Sequence, residues 1–248
     1  MMDNRMIRCA ATPAAAAAGD NGMIRASGPL DVPVYVFDAY GTLFDVHSAT
    51  MRNSELVGPD AQRLSDLWRA KQLEYSWVYA LMGAYRDFWS LTESALDVAA
   101  ARIGGLTAEA RQALLSAYLE LSAYPEAESV LRELKARGAK TAILSNGSPD
   151  MLASAVKAGG LAGLLDATLS VDGLKTYKTD PRAYRLAQER FGVAPHEISF
   201  QSSNRWDVAG AAAFGFRAVW VNRTNGPDEY ADFPPARRIA DLSELLAT

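Results

Sequence analysis

Residues 32–44, Val32-Pro33-Val34-Tyr35-Val36-Phe37-Asp38-Ala39-Tyr40-Gly41-Thr42-Leu43-Phe44, decide how this chain folds. Up to Phe37 the run is apolar and rich in β-branched residues, the pattern of a strand buried on both faces, as in parallel sheets. Asp38 follows immediately and Gly41-Thr42 turns the chain. A carboxylate placed there lies at the C-terminal end of a core strand, close to backbone N–H groups of the next turn that hold an anion in place. A desolvated carboxylate can attack carbon or phosphorus and form a covalent intermediate. A capping or turn aspartate is the commoner role of an Asp-x-x-Gly, so Asp38 alone leaves both readings open.

Downstream, the periodicity changes. From about Ser48 to Ser122, Leu64, Leu67, Trp68 and Leu73, and then Leu114, Leu115, Tyr118 and Leu119, recur at helical spacing. This predicts a helical insert after the first strand, with Pro125 marking the return. Helix–strand units follow. Glu126 to Arg137 is amphipathic, with Glu128/Arg132 and Glu133/Arg137 four apart and Gly138 as its stop. Strands are expected at Thr141–Leu144, Ala167–Val171, Ile198–Phe200 and Ala218–Val221. Ser148-Pro149 and Asp180-Pro181 read as helix starts, Gly192 and Gly215 as helix ends, and Asp241 with Glu244 as a final capping box. Alternating strands and helices predict an α/β fold with a doubly wound parallel sheet. Ligands bind at the carboxyl edge of such sheets, where Asp38, Ser145-Asn146 and Ser202-Ser203-Asn204 collect. The expected division is a core of residues 31–47 and 123–248 and a helical cap of residues 48–122.

The 248 residues carry 49% hydrophobic and 22% charged side chains and a net charge of −4, an ordinary globular balance without a basic run for nucleic acid. The single cysteine, Cys9, rules out a disulfide framework within the chain and makes the reducing cytoplasm the default location. No stretch of eighteen apolar residues offers a membrane span. Residues 1–30, with an alanine run at Ala14–Ala18, read as a disordered extension or as a start placed too early, with Met23 the true one. Arg5 and Arg8 before the alanines also resemble a weak export signal, which Pro13 and Asp20 interrupt. His47 and His196 have no serine or cysteine partner in a triad pattern, which excludes a serine- or cysteine-hydrolase reading.

Four segments in order extend the argument. Phe37-Asp38-Ala39-Tyr40-Gly41-Thr42-Leu43-Phe44-Asp45 resembles the first motif of the haloacid dehalogenase superfamily. Leu144-Ser145-Asn146-Gly147 is similar to its second motif. Tyr177-Lys178 with Pro181-Arg182 and Tyr184 resembles its third, and Ser202-Ser203-Asn204 with Asp207 its fourth. The resemblance covers residues 33–245 and implies a Rossmann-like core with Asp38 as nucleophile. Phosphatases of this superfamily need a second aspartate two residues after the nucleophile to protonate the leaving alkoxide and activate water. Here that position is Tyr40, whose ordinary pKa near ~10 makes it a poor base at neutral pH. The fourth motif offers neutral residues where a metal would need carboxylates, so neither metal nor cofactor is expected. Halide leaves without acid or metal, and the substitutions fit carbon–halogen cleavage.

A second resemblance narrows the class. Leu67-Trp68-Arg69-Ala70-Lys71-Gln72-Leu73-Glu74-Tyr75 is similar to the cap segment of the L-2-haloacid dehalogenases. It implies that Arg69 receives the departing halide, a task suited to a permanently charged guanidinium with several donors. It further implies that Thr42 holds the Asp38 carboxylate, and that Ser145 and Asn146 contact the substrate carboxylate, with Asn146 also cradling halide. Lys178 balances negative charge and Tyr184 supports it. Ser202, Asn204 and Asp207 position the hydrolytic water and the nucleophile. Tyr40, Leu73, Phe88 and Trp206 wall the site around C2, Trp206 also facing halide. The implied substrate is a small 2-haloacid and the implied assembly a homodimer. Thr179, Gln201 and Arg205 depart from the family's usual proline, aliphatic and small residues. The alternatives are a phosphatase or phosphonate hydrolase on the same fold, and a binding protein with a decayed site.

Overall fold

The structure, a computed structural model, describes residues 32–247. The readings of residues 1–30 fall outside the described residues. Strand β1 (Val34–Phe37) is wholly buried. After it come five helices, α1 (Ser48–Arg52), α2 (Ser54–Val57), α3 (Ala61–Leu81), α4 (Phe88–Arg102) and α5 (Ala108–Leu119), then α6 (Ala127–Ala136). The alternating part continues with β2 (Lys140–Ser145), α7 (Pro149–Ala158), β3 (Ala167–Ser170), α8 (Pro181–Phe191), β4 (Ile198–Ser202), α9 (Arg205–Phe214), β5 (Arg217–Val221) and β6 (Arg237–Ile239). Among the described residues the sheet has six strands in the order β3-β2-β1-β4-β5-β6, and every pairing is parallel. No helix of the described residues is long and apolar enough to cross a membrane.

Local chemistry sets the boundaries. Ser148 and Asp180 cap α7 and α8 with their side chains, each followed by proline at the first helical positions, where no N–H is needed. Gly192 and Gly215 end α8 and α9 in the left-handed conformation. On α6, Arg132 and Arg137 pair with Glu128 and Glu133 as their spacing predicts. Two differences stand out. Val171 begins a single 3-10 turn instead of ending β3. A sixth strand, absent from the expectation, forms at the sheet edge from Arg237, Arg238 and Ile239, where only Ile239 is buried and the two arginines gave no apolar signal. The last segment is a 3-10 helix over Leu242–Leu246; Asp241 caps it, but Glu244 bonds the N–H of Ala240 in place of that of the cap residue.

Topology makes β1 central, between β2 and β4. The registers set Phe37 against Ile143 and Gln201, so β1, β2 and β4 end side by side at one edge. The N–H of Asp38 still bonds the Gln201 carbonyl at 2.8 Å, which carries the ladder one residue past the strand. Gly41 takes φ 94° in the turn that follows, and a Cβ there would sit 3.1 Å from Ser203 Oγ. Glycine therefore allows this loop both its backbone conformation and its close approach to the end of β4.

Candidate active site

The carboxylate of Asp38 is 5% exposed and its two oxygens have different neighbours. Oδ2 accepts from Thr42 Oγ1 at 3.2 Å, Ser202 Oγ at 3.3 Å and Asn204 Nδ2 at 2.8 Å. Oδ1 accepts from Lys178 Nζ at 3.0 Å. The donors are held in turn. Thr42 Oγ1 accepts from the N–H of Ser203 and lies 3.2 Å from Ser203 Oγ, and Ser202 Oγ likewise accepts from the N–H of Asn204. Loop β1–α1 and the β4–α9 junction thus interlock around one oxygen.

Lys178 is 1% exposed and bridges two carboxylates, Asp38 at 3.0 Å and Asp207 at 2.8 Å. Burial by itself would lower its pKa, but the carboxylates of Asp207 and Asp38 outweigh burial and hold it above the ordinary lysine value. Asp207, in the first turn of α9, is fully buried. Burial pushes its pKa up to about 6, opposed by Lys178 and by the hydrogen bond from Tyr184 Oη at 2.8 Å. Asn146 Oδ1 accepts from the N–H of Lys178 at 2.9 Å, and Ser145 Oγ accepts from the N–H of Gly147 at 3.1 Å. The end of β2 is thereby tied to the loop that carries the lysine.

From the helical insert, Arg69 on α3 reaches across to the core. Its Nη2 donates to the Tyr40 carbonyl at 3.1 Å and to Asn204 Oδ1 at 3.4 Å. The Tyr40 ring is buried between Tyr118, stacked at 5.8 Å, and Phe88 at 6.1 Å. Leu73 is half-buried one helical turn beyond Arg69, on the same face of α3. Trp206 packs edge-on against Trp77 at 5.4 Å. It also lines two cavities, one of about 970 Å³ shared with Lys178 and Thr179 and one of about 430 Å³ shared with Arg69 and Asn204. The structure therefore gathers Asp38, Thr42, Lys178, Tyr184, Ser202, Asn204 and Asp207 in one hydrogen-bonded network, with Arg69 joined through Asn204. Ser145, Asn146, Tyr40 and Phe88 pack around it, Trp206 lies at its rim, and Leu73 stands beside it on α3 without a hydrogen-bonding group.

A family model described as haloacid dehalogenase-like hydrolase matches residues 32–215. (S)-2-haloacid dehalogenase 1 of Pseudomonas sp. (strain CBS-3) is 52% identical over 211 residues, which span 85% of this chain and 93% of that protein. The chain belongs to the haloacid dehalogenase-like hydrolases, in the branch of the (S)-2-haloacid dehalogenases. A solved dehalogenase structure superposes with a TM-score of 0.85 at 50% identity, covering 88% of this chain and 98% of the other. The L-2-haloacid dehalogenase of Xanthobacter autotrophicus, solved with chloropropionic acid covalently bound, gives 0.79 at 37% identity, with 86% and 96% coverage.

In this haloacid dehalogenase-like hydrolase the phenol of Tyr40 is pushed well above its ordinary pKa by burial and then by Tyr118, which makes it a still poorer acid–base group at neutral pH. Among the described residues no three His, Cys, Asp or Glu side chains group as a metal site. The space between the two core carboxylates is taken by the ammonium of Lys178. The departures have definite surroundings. Gln201 is buried in β4 and donates to Ser199 Oγ, while its Oε1 has no partner among the described residues. Arg205 is buried and ties down the loop after β5 through Asp228 at 2.7 Å and the carbonyls of Tyr230 and Phe233 at 2.7 and 2.9 Å. Thr179, joined to Lys178 by a cis peptide, packs on Gly210 of α9.

Sequence reasoning gave no individual role to several supporting residues. Ser203 fixes Thr42, and Gly210 makes room for Tyr184 and Thr179. Gly147 makes room for the Tyr40 ring, whose Cε2 lies 2.8 Å from where a Cβ would stand. Gln72, Thr92 and Tyr118 form a buried polar cluster behind Arg69. The one available signal for Gln72 is its place in the buried stripe of α3, four residues after Trp68 and before Ser76.

Proposed function

We propose that this hydrolase converts short-chain (S)-2-haloacids to (R)-2-hydroxyacids and halide through an ester on Asp38. The observation that carries the reading is the unequal holding of the Asp38 carboxylate. Oδ2 is occupied by three donors, whereas Oδ1 accepts, among the described residues, from Lys178 alone and keeps a lone pair for attack. Oδ1 displaces halide from C2, forming the O–C2 bond as the C–X bond breaks with its electron pair on the halide. Back-side attack inverts C2. Arg69 and Asn146 receive the halide where its charge develops, and Ser145 with neighbouring N–H groups holds the substrate carboxylate.

Water then attacks Asp38 Cγ. The oxyanion that forms is Oδ2, already facing the hydroxyls of Thr42 and Ser202 and the amide of Asn204. The bond from Cγ to Oδ1 breaks and the hydroxyacid leaves with Oδ1. Its alkoxide takes one proton from the attacking water and the other passes to solvent. Asp207 is the base for this step: with a pKa near 6 it is a stronger base than an ordinary carboxylate and still ionised at neutral pH. In this reading the helical segment of residues 48–122 is a cap that brings Arg69 to the core, and Tyr40, Leu73, Phe88 and Trp206 form the wall around C2. The names of the relatives and the covalently bound chloropropionic acid in the Xanthobacter enzyme support it. A cytoplasmic homodimer belongs to the same proposal; Val78, Leu81 and Met82 leave an apolar strip exposed on and just beyond α3. The test is halide release from (S)- and (R)-2-chloropropionate. Release from the (S) form with (R)-lactate as product is expected; release confined to the (R) form, or from neither, contradicts it.

A further inference from the structure

The guanidinium of Arg69 is held from behind as well as in front. Its Nη1 donates to Gln72 Oε1 at 2.8 Å, while Nη2 faces the Tyr40 carbonyl and Asn204. Gln72 is buried, and its Nε2 donates to Thr92 Oγ1 at 2.7 Å and lies 2.9 Å from Tyr118 Oη. Thr92 spends its one hydroxyl proton on the Phe88 carbonyl at 2.7 Å. Towards Gln72 it can therefore only accept, which orders the carboxamide: the NH2 end must face Thr92 and the carbonyl end must face Arg69. Trp68 Nε1 bonds the Thr92 carbonyl at 2.8 Å, which secures α4 against α3.

We propose that Gln72 is the positioning residue of Arg69, and that the chain Phe88 carbonyl, Thr92, Gln72, Arg69 sets the direction in which the guanidinium presents its charge to the leaving group. The inference rests on Arg69 as halide acceptor. A neutral amide suits the task because it accepts a hydrogen bond and orients the cation without cancelling its charge. Donors fixed before reaction cost no reorganisation when charge appears on the leaving atom. A purely structural Gln72, satisfying buried polar groups of the insert, would affect stability but would not distinguish one halide from another.

The experiment measures kcat/KM of the full chain for (S)-2-chloro-, bromo- and iodopropionate with Gln72→Met, Gln72→Glu, Thr92→Val and Thr92→Ser. Chloride is the poorest leaving group of the three and leans most on Arg69. Gln72→Met should lower kcat/KM for the chloro substrate roughly tenfold to a hundredfold, as expected for loss of a hydrogen bond to a charged group, with a much smaller loss for iodide. Gln72→Glu should show the same bias although it keeps an acceptor, because it neutralises the cation. Thr92→Val should follow Gln72→Met, and Thr92→Ser should restore activity. Equal losses for all three halides, or no loss, in Gln72→Met with native melting overturns the proposal. If Gln72→Met does not fold, a chloride-to-iodide ratio unchanged in Thr92→Val overturns it. Wild-type protein that releases no halide overturns the dehalogenase reading and this inference together.

Discussion

At the scale of single residues, Asp38 and Asp207 are two carboxylates on one lysine given different work by their surroundings. Asp38 collects hydroxyl and amide donors on one oxygen, whereas Asp207 is fully buried with Lys178 and Tyr184 as its side-chain partners. Because the native pKa of Asp207 is raised to about 6, the folded protein binds more protons there than the unfolded chain does between the ordinary carboxylate range and that value. This group alone therefore subtracts stability as the pH rises through that window, and its ionised form becomes available as base only above it. Halide turnover should fall on the acid side with a midpoint near 6. The Tyr184 hydrogen bond lowers the Asp207 pKa, so Tyr184→Phe should move that acid limb to higher pH. A pH–rate profile in which the limb stays in place or moves down contradicts the assignment. Asp38 and Asn204 were legible in the sequence because they follow strand ends, and Lys178 because Tyr177-Lys178 with Pro181-Arg182 and Tyr184 resembles a known motif. Gln72 was not, since a glutamine that follows Lys71 and stands two residues before Glu74 reads as solvent-facing until the packing of α3, α4 and α5 buries it.

At the scale of elements, strand ends and helix starts decide which side chains meet. Apolar runs closed by polar residues marked β1, β2 and β4, and serine- or aspartate-proline pairs marked α7 and α8, so these elements were readable locally. The edge strand β6 was not, because its pairing with β5 comes from the returning chain and not from its own residues. The α8–α9 contact was equally silent. It depends on Gly210, where a Cβ would collide with Tyr184 Oη and lie 2.8 Å from Thr179 Cγ2. Alanine is the better helix former by roughly 0.5–1 kcal/mol, but overpacking at such a contact costs about 1–3 kcal/mol. Gly210→Ala should therefore lower the melting temperature and, by shifting Tyr184, impair turnover. Unchanged melting and turnover in that variant would show that the contact does not constrain the site.

At the scale of the whole molecule, the sheet and its loops bring together Asp38, Lys178 and the donors Thr42, Ser202 and Asn204, and the helical insert brings Arg69 to them. The helices after β1 begin where the hydrophobic period changes near Ser48. How closely they approach the sheet was not legible, because the bond from Arg69 to the Tyr40 carbonyl joins residues whose proximity no local pattern encodes. In the proposed ester mechanism sheet and insert both act in one event, with Asp38 alkylated while the halide rests on Arg69. The direct test is a single turnover of excess enzyme with (S)-2-chloropropionate in ¹⁸O-labelled water, followed by mass analysis of the peptide containing Asp38 and of the product. An ester intermediate puts label in the Asp38 carboxylate and leaves the lactate unlabelled. Labelled lactate with unlabelled Asp38 would mean that water attacks the substrate directly, and would contradict the ester.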